Sequence, residues 1–123
     1  MILFYAQQND RVVETLQKLL TGLKIERFRS VASIAKRLSR PCHGLEIALL
    51  VIHDGDEIIQ IAEIQNLIRG LRLVIVLPGH DSEMVSMAHR LGPRFIAYAD
   101  NGFEQAVAVI RKMAETSQSA VCA

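Results

Sequence analysis

A run of six apolar residues, 47–52, leads into His53-Asp54-Gly55-Asp56-Glu57, one imidazole and three carboxylates within five positions. Such groups could do three kinds of chemistry. An imidazole beside a carboxylate can move protons. Imidazole and carboxylate together can ligate a transition metal. A carboxylate at a strand end could accept a phosphoryl group. A second imidazole, His80, stands in Pro78-Gly79-His80-Asp81-Ser82, and Asp100 closes a later apolar run. His53, Asp54, Gly79, His80 and Asp100 are therefore the candidate ligand-binding set. No spacing of the His-x-x-x-His kind joins the histidines, so no metal site and no cofactor are expected.

Each of these groups also has a plainer use. Asp54 followed by Glu57 has the spacing of a capping box at a helix start, and Asp56 would sit in the first turn, where the helix dipole favours negative charge. Asp81 reads as a cap in the same way, and its charge would repel a phosphate from the helix start after Gly79. Cys42-His43 lies in a turn, far in sequence from Cys122, so no Cys/His nucleophile is expected. "AQQND" after the first apolar run lacks the glycines and hydroxyls that cradle a flavin or nucleotide phosphate.

The elements that must position these groups follow from periodicity. Five apolar runs, "ILFYA" (2–6), "KIERFR" (24–29), "IALLVI" (47–52), "LRLVIVL" (71–77) and "RFIAYA" (94–99), alternate with five helix-period segments. Three of the runs are almost continuously apolar, as strands covered on both faces must be. The second is more polar and reads as nearer an edge. The helices begin after Asn9 or Asp10, Ser30, Asp54, Asp81 or Ser82, and Asn101, the last forming a second capping box with Glu104; Gly70 stops the third. In the first, Val12, Val13, Leu16, Leu19, Leu20 and Leu23 are expected on one inward face, and in the second Val31, Ile34, Ala35 and Leu38. Five βα units with short connections predict an α/β, flavodoxin-like, doubly wound parallel sheet of order 2-1-3-4-5 with five helices. Residues 1–116 read as one domain and 117–123 as a loose tail.

The totals narrow the function further. The chain has 123 residues and a net charge of +1, which gives no field for nucleic acid or an anionic membrane. Arg27, Arg29, Lys36, Arg37 and Arg40 read as a solvated helix face. "MILFYAQQND" lacks the positive start of a signal peptide, and no apolar run nears the roughly 20 residues of a membrane helix. Two cysteines are too few for a disulfide scaffold. A soluble protein of the reducing cytoplasm is the expectation.

The pattern resembles a response-regulator receiver (CheY-like) domain. "LVIVLPGHDSEMVSMAHRLGPRFIAYADNGFEQAVAVIRKM" resembles the second half of a receiver, above all at "HRLGPRFIAYAD"; "MILFYAQQNDRVVETLQKLL" resembles its first βα unit and "LEIALLVIHDGDE" its third strand. The resemblance implies an acidic pair where Ala6 and Gln7 stand, a phosphoacceptor Asp at Val51, a switch Thr or Ser at Pro78, and a Lys at Ala99 (or Tyr98, with a slip of one). It therefore implies a degenerate pseudo-receiver. Phosphoryl transfer needs charge neutralisation by Mg²⁺, a hard ion that prefers carboxylate oxygens. Gln7 and Gln8 offer only neutral amides and Val51 nothing. Asp54, the fallback acceptor, lies about 10 Å beyond Val51 along an extended chain.

The expectation is thus a non-enzymatic signalling module of the two-component kind that works by protein contact. In receivers the fourth helix, fifth strand and fifth helix form the partner surface, which here implicates Met84, Met87, Tyr98, Val109 and Met113, with a protein partner or a homodimer. Two alternatives stay open: a small-molecule binder or enzyme using the crevice at the strand ends, and a receiver phosphorylated on a relocated carboxylate.

Overall fold

The computed structural model describes residues 1–40, 44–100 and 102–116. The Cys42-His43 turn, the Asn101 cap and the tail at 117–123 lie outside them. The five strands are β1 (Ile2–Tyr5), β2 (Ile25–Phe28), β3 (Ile47–Val51), β4 (Arg72–Leu77) and β5 (Phe95–Tyr98). They form one parallel sheet in the order β2-β1-β3-β4-β5. This is the expected flavodoxin-like topology. β2 is an edge strand, and its residues are mostly half-buried, which explains its polar sequence.

Strand alternation divides the core into two layers. Ile47, Leu49 and Val51 of β3 pack on one face with Val13, Leu16 and Leu20 of α1 (Arg11–Leu19) and its C-cap, and with Ala106, Val107 and Ile110 of α6 (Glu104–Thr116). Ala48, Leu50 and Ile52 pack on the other. There they meet α2 (Val31–Leu38), α3 (Gly55–Glu63), α4 (Gln65–Ile68) and α5 (Ser82–Arg90) through Ile34, Leu38, Ile58, Ile61, Ile68 and Ala88. A continuous apolar strand is thus two half-strands, each serving its own layer.

The described residues hold six helices where five were expected. The segment after Asp54 leaves helical geometry at Ile64 (φ −103°, ψ 22°), whose N–H bonds back to the Ile61 carbonyl at 3.1 Å. That tighter turn splits the expected third helix into α3 and α4, while Ile61, Ile64 and Ile68 all stay against one core. Leu19, expected inward, is 39% exposed. It lies about a quarter-turn from the centre of the stripe that Val13, Leu16 and Leu20 define. Ala35 is half-buried, while Val31, Ile34 and Leu38 are buried as expected.

The basic cluster is not one solvated helix face. Arg27 lies on β2, its guanidinium 5.5 Å over the Phe4 ring, and it donates to the carbonyls of Ala6 (3.0 Å) and Gln8 (3.4 Å). Arg37 pairs with Glu26 at 3.0 Å. A cation beside an edge strand finds ring faces and carbonyls that a freely solvated helix lacks.

Because Leu50 is buried in the sheet's centre and Leu19 is not, truncation should separate them. Leu50→Ala is expected to cost about 2–5 kcal/mol, and Leu19→Ala less than about 1 kcal/mol. Urea unfolding of the two variants measures this.

Candidate functional site

The parallel register brings the carboxyl ends of β1, β3, β4 and β5 to one rim, with Tyr5 opposite Leu50, Val51 opposite Val76, and Leu77 opposite Tyr98. Sheets of this kind bind ligands there, so the polar groups on that rim define the candidate site.

At its centre is Glu57, 2% exposed and the one buried polar or charged residue among those described. Its Oε1 accepts from the Tyr5 hydroxyl at 2.9 Å. Its Oε2 accepts from the backbone N–H groups of His53 (2.8 Å) and Asp54 (3.1 Å). Asp54 in turn accepts from the Glu57 N–H at 3.0 Å, completing the capping box of α3. Asp54 is thus a cap, as its spacing predicts, but Glu57 also anchors β1 to the β3–α3 turn. Burial and the Glu57 carboxyl push the Tyr5 phenol up, well above its ordinary value near 10. Tyr5 stays protonated and donates to Glu57.

His53 carries the network outward. Its Nε2 lies 2.6 Å from Oδ2 of Asp10, whose Oδ1 accepts from the Val13 N–H at 3.0 Å and caps α1. Burial pushes the Asp10 carboxyl up, but the hydrogen bonds from Val13 and His53 outweigh it, and the net position is below the ordinary 3.8. An ionised Asp10 requires the proton on Nε2 of His53. The other ring nitrogen, Nδ1, is buried with no hydrogen-bond partner and lies 3.8 Å from Oε2 of Glu57. A carboxylate that fixes an imidazole tautomer is half of a general-base pair. Here the remaining nitrogen faces protein, so the pair fastens the β3–α3 turn to the start of α1.

The rim positions that the resemblance marks are apolar or neutral. Ala6 and Val51 are buried, Gln7 is exposed, Pro78 is exposed and Ala99 is half-buried. Ala6 and Ala99 continue the ladder through bonds from their N–H groups to Phe28 and Leu77. Across β4 and β5, His80 stacks on Tyr98 with ring centroids 3.8 Å apart, and its Nε2 is 3.8 Å from Oδ1 of Asp100. Gly79 is half-buried, and Asp81, rather than Ser82, caps α5 by accepting from the Met84 N–H at 3.0 Å. The candidate ligand set is therefore split. His53 and Asp54 belong to the Glu57 network, and His80 and Asp100 pair with each other. Among the described residues no three His, Cys, Asp or Glu side chains are placed to hold a metal ion.

Met84, Met87 and Tyr98 lean on the α5 side of the core, and Val109 and Met113 on the α6 side. Of the five, Tyr98 lies on β5 at the sheet's edge, whereas Met84 and Met87 face α3.

Sequence reasoning placed Asp54 and offered Asp10, with Asn9, as the cap of α1, but passed over Tyr5, the pairing of Asp10 with His53 and the second role of Glu57. One signal was present: Glu57 stands four residues before Ile61 and next to Ile58, on the apolar face of its helix. Nothing local marked Tyr5 as its partner across 52 residues.

No family model matches this chain, and no curated protein matches it by sequence. Solved structures do match in shape. A response regulator receiver protein of Pseudoalteromonas atlantica is 17% identical with a TM-score of 0.74, over 95% of this chain and 98% of that one. The signal receiver domain of an HD domain-containing protein of Pseudomonas fluorescens is 16% identical with a TM-score of 0.72, over 96% of each chain. A protein described as related to pilus assembly, from Burkholderia pseudomallei, is 20% identical with a TM-score of 0.69, over 94% of this chain and 88% of that one. The chain has the receiver (CheY-like) fold. No described helix is long and apolar enough to cross a membrane.

Two outcomes follow from the network. Glu57→Ala leaves the Tyr5 hydroxyl and two backbone N–H groups without acceptors and should cost about 3 kcal/mol or more, whereas Glu57→Gln keeps an oxygen for the backbone and should cost less than about 2 kcal/mol. Urea melts of both variants test this order. Asp10 has a folded pKa below its unfolded one, so its contribution is complete above about pH 4 and is lost as pH falls through the folded value. The stability gap between the natural chain and Asp10→Ala should be about 0.5–2 kcal/mol at pH 7 and shrink steadily below pH 4, as read from melts across that range.

Proposed function

We propose that this chain is a receiver-like signalling module that acts by protein contact and carries out no phosphoryl transfer. One observation supports this above the others. The rim positions where the receiver resemblance implies acids, an acceptor, a hydroxyl and a lysine hold Ala6 and Gln7, Val51, Pro78, and Ala99. The carboxyl that does lie buried beside them, Glu57, is already engaged by Tyr5, His53 and Asp54. Mg²⁺ and a phosphoryl group together need several negative oxygens and a cation nearby. Asp54 and Asp10 each spend an oxygen on a helix cap. The rim is thus arranged as a fixed structural joint in a pseudo-receiver.

Output then passes through a surface. The receiver-like candidate is the surface of α5, β5 and α6 that carries Met84, Met87, Tyr98, Val109 and Met113, facing a partner protein or a second copy of this chain. That a protein described as pilus assembly-related carries the same fold extends the range of partners to assembly components.

Incubation with Mg²⁺ and acetyl phosphate should leave the intact mass unchanged, while a receiver carrying the full acid set gains a phosphoryl group under the same conditions. A stoichiometric gain mapped to Asp54 or Asp56 would sink the proposal.

A further inference from the structure

A groove of about 280 Å³ opens between the first turns of α3 and α5. Its wall is Ile59, Met84 and Met87, and its lip is Asp56, Asp81 and Glu83. Ile59 is 46% exposed, a large aliphatic side chain left in water. Met84 and Met87 are half-buried. Their unbranched thioethers can reshape to fit an incoming side chain. The volume is just below the roughly 300–1,000 Å³ typical of small-molecule sites. It suits one or two apolar anchors of a peptide.

The charges choose the occupant. All three ionisable residues in the lining are acidic, in a chain whose net charge is +1. Capping accounts for one oxygen of Asp81. Neither Asp56 nor Glu83 pairs with a cation among the described residues. Water-exposed carboxylates around an apolar wall complement a segment whose apolar anchors are flanked by Lys or Arg. They repel an acidic segment and any nucleic acid.

We propose that this α3–α5 groove docks a short basic amphipathic segment of a protein partner, with an apolar anchor against Ile59, Met84 and Met87 and cations over Asp56, Asp81 and Glu83. The proposal rests on the protein-contact reading and names a surface separate from that of α5, β5 and α6, although the two share the methionines of α5.

The test titrates the full chain, labelled with ¹⁵N, with an 18-residue amphipathic peptide carrying Leu and Phe on one face and Lys and Arg on the other. A matched peptide with Glu at every basic position is the control. The expected result is saturable binding of the basic peptide, with shifts centred on residues 55–59 and 82–87, and none for the acidic one. Binding should weaken at least tenfold in Asp56→Lys/Glu83→Lys, and separately in Ile59→Lys, which keeps the melting temperature within a few degrees because its side chain is exposed; the double variant sets cations in two helix first turns and should melt lower, with its native ¹⁵N spectrum retained. It should also weaken with added salt. No saturable binding of the basic peptide, equal binding of the acidic one, or shifts centred on Tyr98, Val109 and Met113 would each overturn the proposal. None of those results depends on whether acetyl phosphate modifies the chain, so this groove and the absence of phosphoryl transfer fail separately.

Discussion

A buried carboxyl must find donors or destabilise the fold that encloses it, and Glu57 finds three. One comes from β1, through Tyr5, and two from the backbone where the chain turns out of β3. Glu57 therefore holds two neighbouring strand ends and the start of α3 in one arrangement. Asp10 and His53 extend the same joint to the start of α1. The place where an open α/β sheet usually keeps its reactive groups is occupied by groups that hold each other.

That occupation changes what the rim can do. A carboxylate used for catalysis must keep oxygens free and reachable, and those of Glu57 are neither. The free nitrogen of His53 points into protein for the same reason. His80 and Asp100, at the far side, are exposed and only loosely paired. What remains available is surface: the open edge beyond β5, and the methionine-lined groove between α3 and α5.

The fold was largely legible because it depends on hydrophobic period and on turn chemistry, which are local. The strands at 47–52 and 71–77 announce burial on both faces by their composition, and Asp54 and Asp81 announce helix starts by the residues just after them. The errors fall where two local signals competed. Leu19 has the right residue type but lies at the flank of its stripe, and Ile64 sits at a tighter turn although Ile61, Ile64 and Ile68 keep helical spacing through it. Arg27 was grouped with basic residues of a helix, although its own segment is a strand whose neighbour presents Phe4.

By itself, then, the sequence determined the strands, the helix starts to within a residue, and the lack of acids at the positions the receiver resemblance marks, each settled within a dozen neighbouring residues by periodicity and capping; the sheet order followed from the count of βα units and the rules for their crossovers. Only the tertiary structure decided that Glu57 meets Tyr5, that His53 meets Asp10, and that acids of two helices gather around Ile59, Met84 and Met87. Those meetings join residues far apart in the chain, and their partners are chosen by sheet register and layer packing, which no local spacing encodes.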